Sequence, residues 1–234
     1  MSSQSSDQPS ASYSAFDIIG PPMVGPSSSH TAGACRLGLL AKGMLGEPPV
    51  VGRIGLHGSL AATGIGHATD RAVVAGVLGW APDDERLKGS LQAAQDLGVQ
   101  IDLGMVDLGE EVHPNSVWIE LQGENNSVVM EGSSVGGGSV VVTKIDGYPT
   151  EVRGQLETLI LWHSDTTGFL AGVVSVCACV GLNIATVRTS RRQRGDVALT
   201  IMEFDGLLAS DLLSVLKRGH GVRRLAHLAV LPGF

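Results

Sequence analysis

Aromatic side chains make up only 4% of this 234-residue chain, and cysteine occurs three times, at Cys35, Cys177 and Cys179. So few thiols exclude a disulfide-stapled scaffold. They also fall short of a cubane iron–sulfur site, which takes up to four thiolates. Cys177 and Cys179 are two apart in an apolar helical stretch and point in different directions, so core packing accounts for them better, and no metal site is expected in this chain. Basic residues are in deficit, with 16 Lys and Arg against 23 Asp and Glu and a net charge of −7. That balance argues against nucleic-acid binding, which calls for a basic face. The local cluster of Arg188, Arg191, Arg192 and Arg194 reads as a solvated hairpin turn. The longest apolar run, Phe169 to Val180, is too short to span a bilayer. The start of the chain lacks a basic segment followed by an apolar core, so a cytoplasmic protein with reduced thiols is expected.

What is abundant is glycine, 32 residues, in a chain that is 43% hydrophobic. The length suits two modest cores. Residues 1–14 are Ser-rich, carry no apolar periodicity and read as a disordered tail. Pro21, Pro22 and Pro26 exclude a regular element over 20–31. A helix is expected from Thr31 to the stop signals at Gly46 and Pro48. A strand over 50–57 and helices over 69–78 and 87–97 follow. Strands come next over 100–106, 116–122, 127–132 and 139–145, separated by Pro-Asn and Gly-rich turns. Gly147-Tyr148-Pro149 reads as the end of a first domain spanning 15–150. Residues 155–234 change rhythm to β-α-β-β-α-β, a ferredoxin-like unit. The fold class is therefore α+β.

Three stretches carry polar groups in chemically suggestive places. Gly25-Pro26-Ser27-Ser28-Ser29-His30-Thr31 gathers hydroxyls and an imidazole at a helix start, where free N–H groups and the helix dipole favour an anion. The plain alternative is a Ser/Thr cap after a proline turn. In the stretch from Gly58 to Asp70, Ser59, Thr63, His67 and Asp70 lie among three glycines, and Asp70 stands three residues after His67. The alternative there is a Thr69 or Asp70 cap with His67 merely exposed. Gly132 to Ser139 is Gly-rich but misses the phosphate-loop and dinucleotide patterns. The four lysines, Lys42, Lys88, Lys144 and Lys217, lie outside any loop suited to a pyridoxal phosphate Schiff base. A strand-to-strand turn near the site is the preferred reading of that stretch. His113-Pro114-Asn115 reads as a structural turn.

Phe16 to Pro21 followed by Gly25-Pro26-Ser27-Ser28-Ser29-His30-Thr31-Ala32-Gly33 closely resembles the opening of the beta chain of bacterial iron–sulfur L-serine dehydratases. The stretch from Gly58 to Asp70, then His113-Pro114-Asn115 and Val135 to Gly138, resembles that family's later motifs in the same order. Residues 156–234 resemble an ACT domain, with Asp165-Thr166-Thr167-Gly168 in place of the usual Asp-x-Pro-Gly and Asn183 at the second strand. The resemblance implies conversion of L-serine to pyruvate and ammonia. A [4Fe–4S] cluster on a separate alpha chain would act as Lewis acid on the substrate hydroxyl. His67 and then His30 are the expected proton-transfer residues. Ser27, Ser28, Ser29, Thr31, Ser59 and Thr63 are expected to contact the substrate. Asp165, Gly168 and Asn183 would form a regulatory loop, and the ACT unit would pair with a second copy. The rival expectation is a stand-alone amino-acid sensor without catalysis. A third is a phosphate-ester binder with anion affinity at the 25–31 loop.

Overall fold

The computed structural model describes residues 21–63 and 68–233. Ten strands form two sheets. The first has six strands in the order β2-β1-β3-β4-β5-β6, namely β1 (Val51–Leu56), β2 (Gln100–Met105), β3 (Ser116–Gln122), β4 (Ser127–Gly136), β5 (Ser139–Ile145) and β6 (Tyr148–Val152). β1 and β2 are parallel and the other pairs antiparallel. A parallel pair needs a long crossover. Helices α2 (Gly58–Thr63), α3 (Thr69–Leu78) and α4 (Ser90–Asp96) lie along the chain between the two strands, with a 3-10 turn at Glu85–Gly89 before α4.

The inward positions alternate as a half-buried sheet requires. Ile54, Leu56, Val117, Ile119, Leu121, Val128, Met130, Val140 and Val142 are buried, while Arg53, Glu120, Glu131 and Lys144 pair as ions on the opposite face. Helix α1 (Gly33–Leu45) lies on the inward face and is buried almost all round, from Ala34 and Leu37 to Met44. It crosses α3 where each helix offers a glycine. A Cβ at Gly38 would stand 2.9 Å from the Val77 nitrogen, and one at Gly76 would stand 2.7 Å from the Leu39 nitrogen. Two backbones meet there with no side chain between them.

The second sheet runs β10-β7-β9-β8, all antiparallel, from β7 (Glu157–Ser164), β8 (Ile184–Arg191), β9 (Val197–Phe204) and β10 (Val222–Leu228). With α5 (Phe169–Cys179) and α6 (Ser210–Lys217) between its strands, it has the ferredoxin-like topology. Leu159, Leu161, Met202 and Phe204 pack under α5 and α6. Ile160, Trp162, Leu199, Ile201 and Leu228 face the other way and join the core of the six-stranded sheet. That double burial explains why β7 reads as an unbroken apolar run rather than an alternating one.

Two expectations change and one open reading is decided. Tyr148–Val152 does not end the sheet but forms its sixth strand. Pro149 is tolerated because β6 lies at the sheet edge, where a missing N–H breaks no ladder. The stretch from Gly132 continues β4 as far as Gly136, and only the residues between Gly136 and Ser139 turn. After Ser59 the sequence allows either a loop or a helix start, and the structure has the short helix α2 there. No helix among the described residues is long and apolar enough to cross a membrane.

One buried imidazole makes part of the stability pH-dependent. His163 is 2% exposed; Nε2 lies 2.8 Å from the Thr200 hydroxyl and Nδ1 lies 2.9 Å from the Ser164 carbonyl oxygen. A ring donating from Nδ1 and accepting at Nε2 satisfies both partners while neutral. Desolvation by burial pushes its pKa below the usual histidine value. The unfolded chain therefore binds the extra proton first as pH falls. This contribution is complete above the unfolded histidine range and is lost as pH drops toward the lowered folded value. The Tm of the wild type should fall more between pH 7.5 and pH 5.5 than that of His163→Gln. Parallel pH profiles of the two proteins would refute this.

Candidate active site

The 25–31 loop enters α1 through a π-helical turn at Ser28–Ala32, a distortion that recurs at functional sites. Its approach requires glycine at position 25. There φ is +152°, and a Cβ would stand 2.6 Å from the Thr31 methyl. Ser27 caps the turn, with the His30 N–H donating to its hydroxyl at 3.2 Å and the Thr31 N–H donating to its carbonyl at 2.8 Å. The serine that caps the turn also faces the imidazole.

His30 is the hub. Its Nδ1 lies 2.9 Å from the Ser29 hydroxyl and 3.4 Å from that of Ser27, while Nε2 lies 3.2 Å from the hydroxyl of Ser59 at the start of α2. Thr63, one turn on, donates to the Ser59 carbonyl at 2.8 Å. Ser27, Ser29, His30 and Ser59 thus come together across 29 residues of sequence separation between His30 and Ser59, with Thr63 one turn along α2. Thr31 is fully buried behind them, and Ser28, half-buried, accepts the Gly33 N–H at its carbonyl. His67 lies outside the described residues. Past that gap, the Thr69 hydroxyl and one Asp70 carboxylate oxygen are buried with no hydrogen-bond partner among the described residues.

Further polar groups sit beside this cluster that sequence reading passed over. Ser134 is completely buried on β4, and a Cβ at Gly33 would stand 2.6 Å from its Cβ. The hydroxyl thus fills the space at the head of α1, and it has no hydrogen-bond partner among the described residues. Ser116 and Ser133 face each other in the β3–β4 register, hydroxyls 2.7 Å apart, and Ser116 donates to the His113 carbonyl at 2.6 Å. The signal available was two serines in an otherwise apolar strand running into three glycines. His113 stays on the surface and accepts the Asn115 N–H at Nδ1, 3.1 Å away, while the Pro114 carbonyl takes the Ser59 N–H at 2.8 Å. That turn anchors α2. His57, which follows β1, accepts the Leu108 N–H at Nδ1 (3.2 Å). It lines a cavity of about 350 Å³ with Gly58, Ala61, Met105, Val106 and Asp107. This cavity opens at the carboxyl ends of the one parallel strand pair, the usual place for ligands in such sheets.

The three residues of the expected regulatory loop do not converge within one chain. Asp165 accepts from Arg191 at 2.6 Å and from the Gly195 N–H at 3.0 Å, and these bonds hold its carboxyl below the usual range. Gly168, at φ +86°, starts α5 beside it. Asn183 bonds Asp205 at the far end of β9, because Ser164 pairs with Val197 whereas Ile184 pairs with Phe204. Near Gly168, a cavity of about 400 Å³ opens between α5 and α6, lined by Thr166, Phe169, Val176, Val215 and His220 among others.

The thiols do not fit an iron–sulfur cluster. Cys35 is buried, donates to the Trp80 carbonyl at 3.2 Å and has a pKa pushed up to about 12 by that burial. Cys177 is on the buried face of α5, and Cys179 is exposed. No group of three His, Cys, Asp or Glu among the described residues is arranged to hold a metal ion.

Residues 14–145 match the family model described as "Serine dehydratase beta chain". A "Probable L-serine dehydratase, beta chain" from Bacillus subtilis (strain 168) is 35% identical over 216 residues, covering 92% of this chain and 98% of that protein. An "L-serine dehydratase, beta chain" from Peptoniphilus asaccharolyticus is 38% identical over 207 residues, 87% of this chain and 92% of that one. A longer "L-serine dehydratase" from Mycobacterium bovis (strain ATCC BAA-935 / AF2122/97) is 32% identical over 160 residues, which make up 34% of it. The ACT domain from the GTP pyrophosphokinase of Chlorobium tepidum aligns with 31% of this chain and 96% of its own length at 21% identity and a TM-score of 0.26. The ferredoxin-like assignment rests on strand order instead. A family model covering more than half the sequence, joined to two relatives matched over nearly their whole length, places this chain in the serine dehydratase beta chain family.

Proposed function

We propose that this chain is the beta subunit of an L-serine ammonia-lyase, active only with a cluster-bearing alpha chain. The observation that carries the reading is the His30 cluster, in which an imidazole joins hydroxyls from two separate elements at a helix head. Ser27, Ser28 and Ser29, with the N–H groups that open the turn, bind the carboxylate of L-serine, while fully buried Thr31 backs the loop. Ser59 and Thr63 close the other side, and His30 orients the hydroxyls. His67 takes the α-proton at its imidazole. The thiolates for a [4Fe–4S] cluster belong on the alpha chain, because the cysteines here are buried apart from one another or lie on the far unit. The longer Mycobacterium bovis relative, one third of which matches this chain, supports the idea that further chain is needed for the whole enzyme. Residues 15–150 serve the active site, and residues 155–234 serve regulation and pairing. The apolar outer face of α5, with Leu170 and Val174 more than a third exposed, suits contact with a second copy.

Reconstitution tests the proposal. Co-expressed anaerobically with a candidate alpha chain, the complex should convert L-serine to pyruvate, and this chain alone should not. Its mass should correspond to two copies of each chain. Turnover by this chain alone would overturn the division of labour. A stable complex with no turnover, whose partner responds to serine only as a ligand, would favour the sensor reading.

A further inference from the structure

Arg36 ties together parts of the chain that sequence places far apart. It lies one turn beyond the head of α1 and is 1% exposed. Nη1 donates to the Gly138 carbonyl in the β4–β5 turn, and Nη2 donates to the Pro232 carbonyl in the C-terminal tail, each at 2.7 Å. Pro21, which leads into the 25–31 loop, packs at the same point. A Cβ at Gly138 would stand 2.7 Å from Pro21 Cδ, and one at Gly233 would stand 3.2 Å from Pro21 Cβ. The tail is held from its other side too, by the Leu231 N–H donating to the Gly154 carbonyl at 2.9 Å. The chain entering the Ser/His loop, the helix leaving it, the glycine turn beside Ser134 and the tail of the ferredoxin-like unit thus share one guanidinium. Packing alone would be met by a leucine or methionine, and burying a cation is costly unless its donors are matched. A planar donor fork at this position makes directional bonds in two directions at once.

We propose that Arg36 is a positioning residue. It fixes the Ser27–Thr31 loop by clasping the C-terminal tail against the head of α1, so that the ferredoxin-like unit sets the geometry of the substrate loop. The kinetic part of this inference rests on the L-serine dehydratase reading. The structural part does not.

The test uses the full chain in complex with its alpha chain and two lesions on opposite sides of the clasp. Arg36→Lys keeps the charge but loses the fork. Gly233→Val leaves Arg36 in place and pushes a side chain to within 3.1 Å of Nη2 and against Pro21. Each should raise KM for L-serine about tenfold with kcat changed much less, as expected for loss of one charge-assisted hydrogen bond at a binding loop. The double variant should be no worse than the more damaged single, since both break one contact. In hydrogen exchange on the chain by itself, both variants should speed exchange at 27–31 while β3 is unchanged. Unaltered KM together with unaltered exchange at 27–31 would overturn the proposal, as would effects that multiply in the double variant. If the wild type turns over no serine, the catalytic reading fails, and the exchange experiment alone decides the clasp.

Discussion

Gly76→Ala should unfold this protein or lower its stability by about 3 kcal/mol or more, at the upper end of what overpacking costs. The added methyl would land on the Cys35 carbonyl oxygen, with the Leu39 nitrogen 2.7 Å away. Both belong to the α1 backbone, which cannot step aside as a side chain can. α1 is held in turn by the six-stranded sheet on one side and β10 on the other. Gly38→Ala, facing the Val73 carbonyl and the Val77 nitrogen, should behave alike. Gly172→Ala supplies the opposite sign. It lies inside α5, nothing stands within 4 Å of a Cβ there, and alanine should gain about 0.5–1 kcal/mol from helix propensity alone. Urea midpoints of the three variants would settle the point. A Gly76→Ala protein as stable as the wild type would mean that the two helices are not in backbone contact. Loss of this crossing should also abolish substrate binding, because the same α1 that meets α3 carries Ser27 to Thr31 at its head.

How much of this was legible depends on the scale of the cause. Local causes were. The proline run before residue 31, the Gly46 stop and the β-α-β-β-α-β rhythm are short-range signals, and α1, α3 and the second sheet follow them closely. What failed required knowing a neighbour. Pro149 marks a break only if β6 is central, and nothing in the sequence says that β6 is an edge. Gly38 and Gly76 look like weak spots in two helices until the helices are seen to cross there. For the site, the Ser/His loop was legible as a hydroxyl-rich helix head, and Ser59 as a small polar residue among glycines. That His30 bridges the two was not, because no periodicity spans that separation. Ser134 and Arg36 escaped for the same reason: each is defined by what lies on the other side of α1. In the ferredoxin-like unit, the resemblance to an ACT domain pointed to Asp165, Gly168 and Asn183 as one group. Strand register instead places Asn183 at the opposite end of β9 from Asp165, about 23 Å away along an eight-residue strand. A shared ligand would therefore need two chains.

The two histidines of the substrate region should fail in different ways, and that difference tests their assigned roles. His67→Ala in the reconstituted complex is expected to lower kcat for L-serine by about 10²–10⁴-fold, the range general bases contribute. KM should stay near the wild-type value, since the hydroxyls around His30 would be intact. His30→Ala removes the ring that holds Ser29 at 2.9 Å and Ser59 at 3.2 Å. The hydroxyls then lose their common partner, and KM should rise about 10–100-fold, equivalent to one or two hydrogen bonds at a charged ligand. His30→Asn, which can still donate and accept, should recover part of that loss, whereas His67→Asn should recover none, because an amide cannot take a proton at neutral pH. Exchange of the α-hydrogen of L-serine with deuterated solvent gives a second reading, and it should vanish in His67→Ala but persist in His30→Ala at saturating substrate. If exchange instead vanishes only in His30→Ala, the base is His30, and the hub of the hydroxyl cluster is itself the proton acceptor.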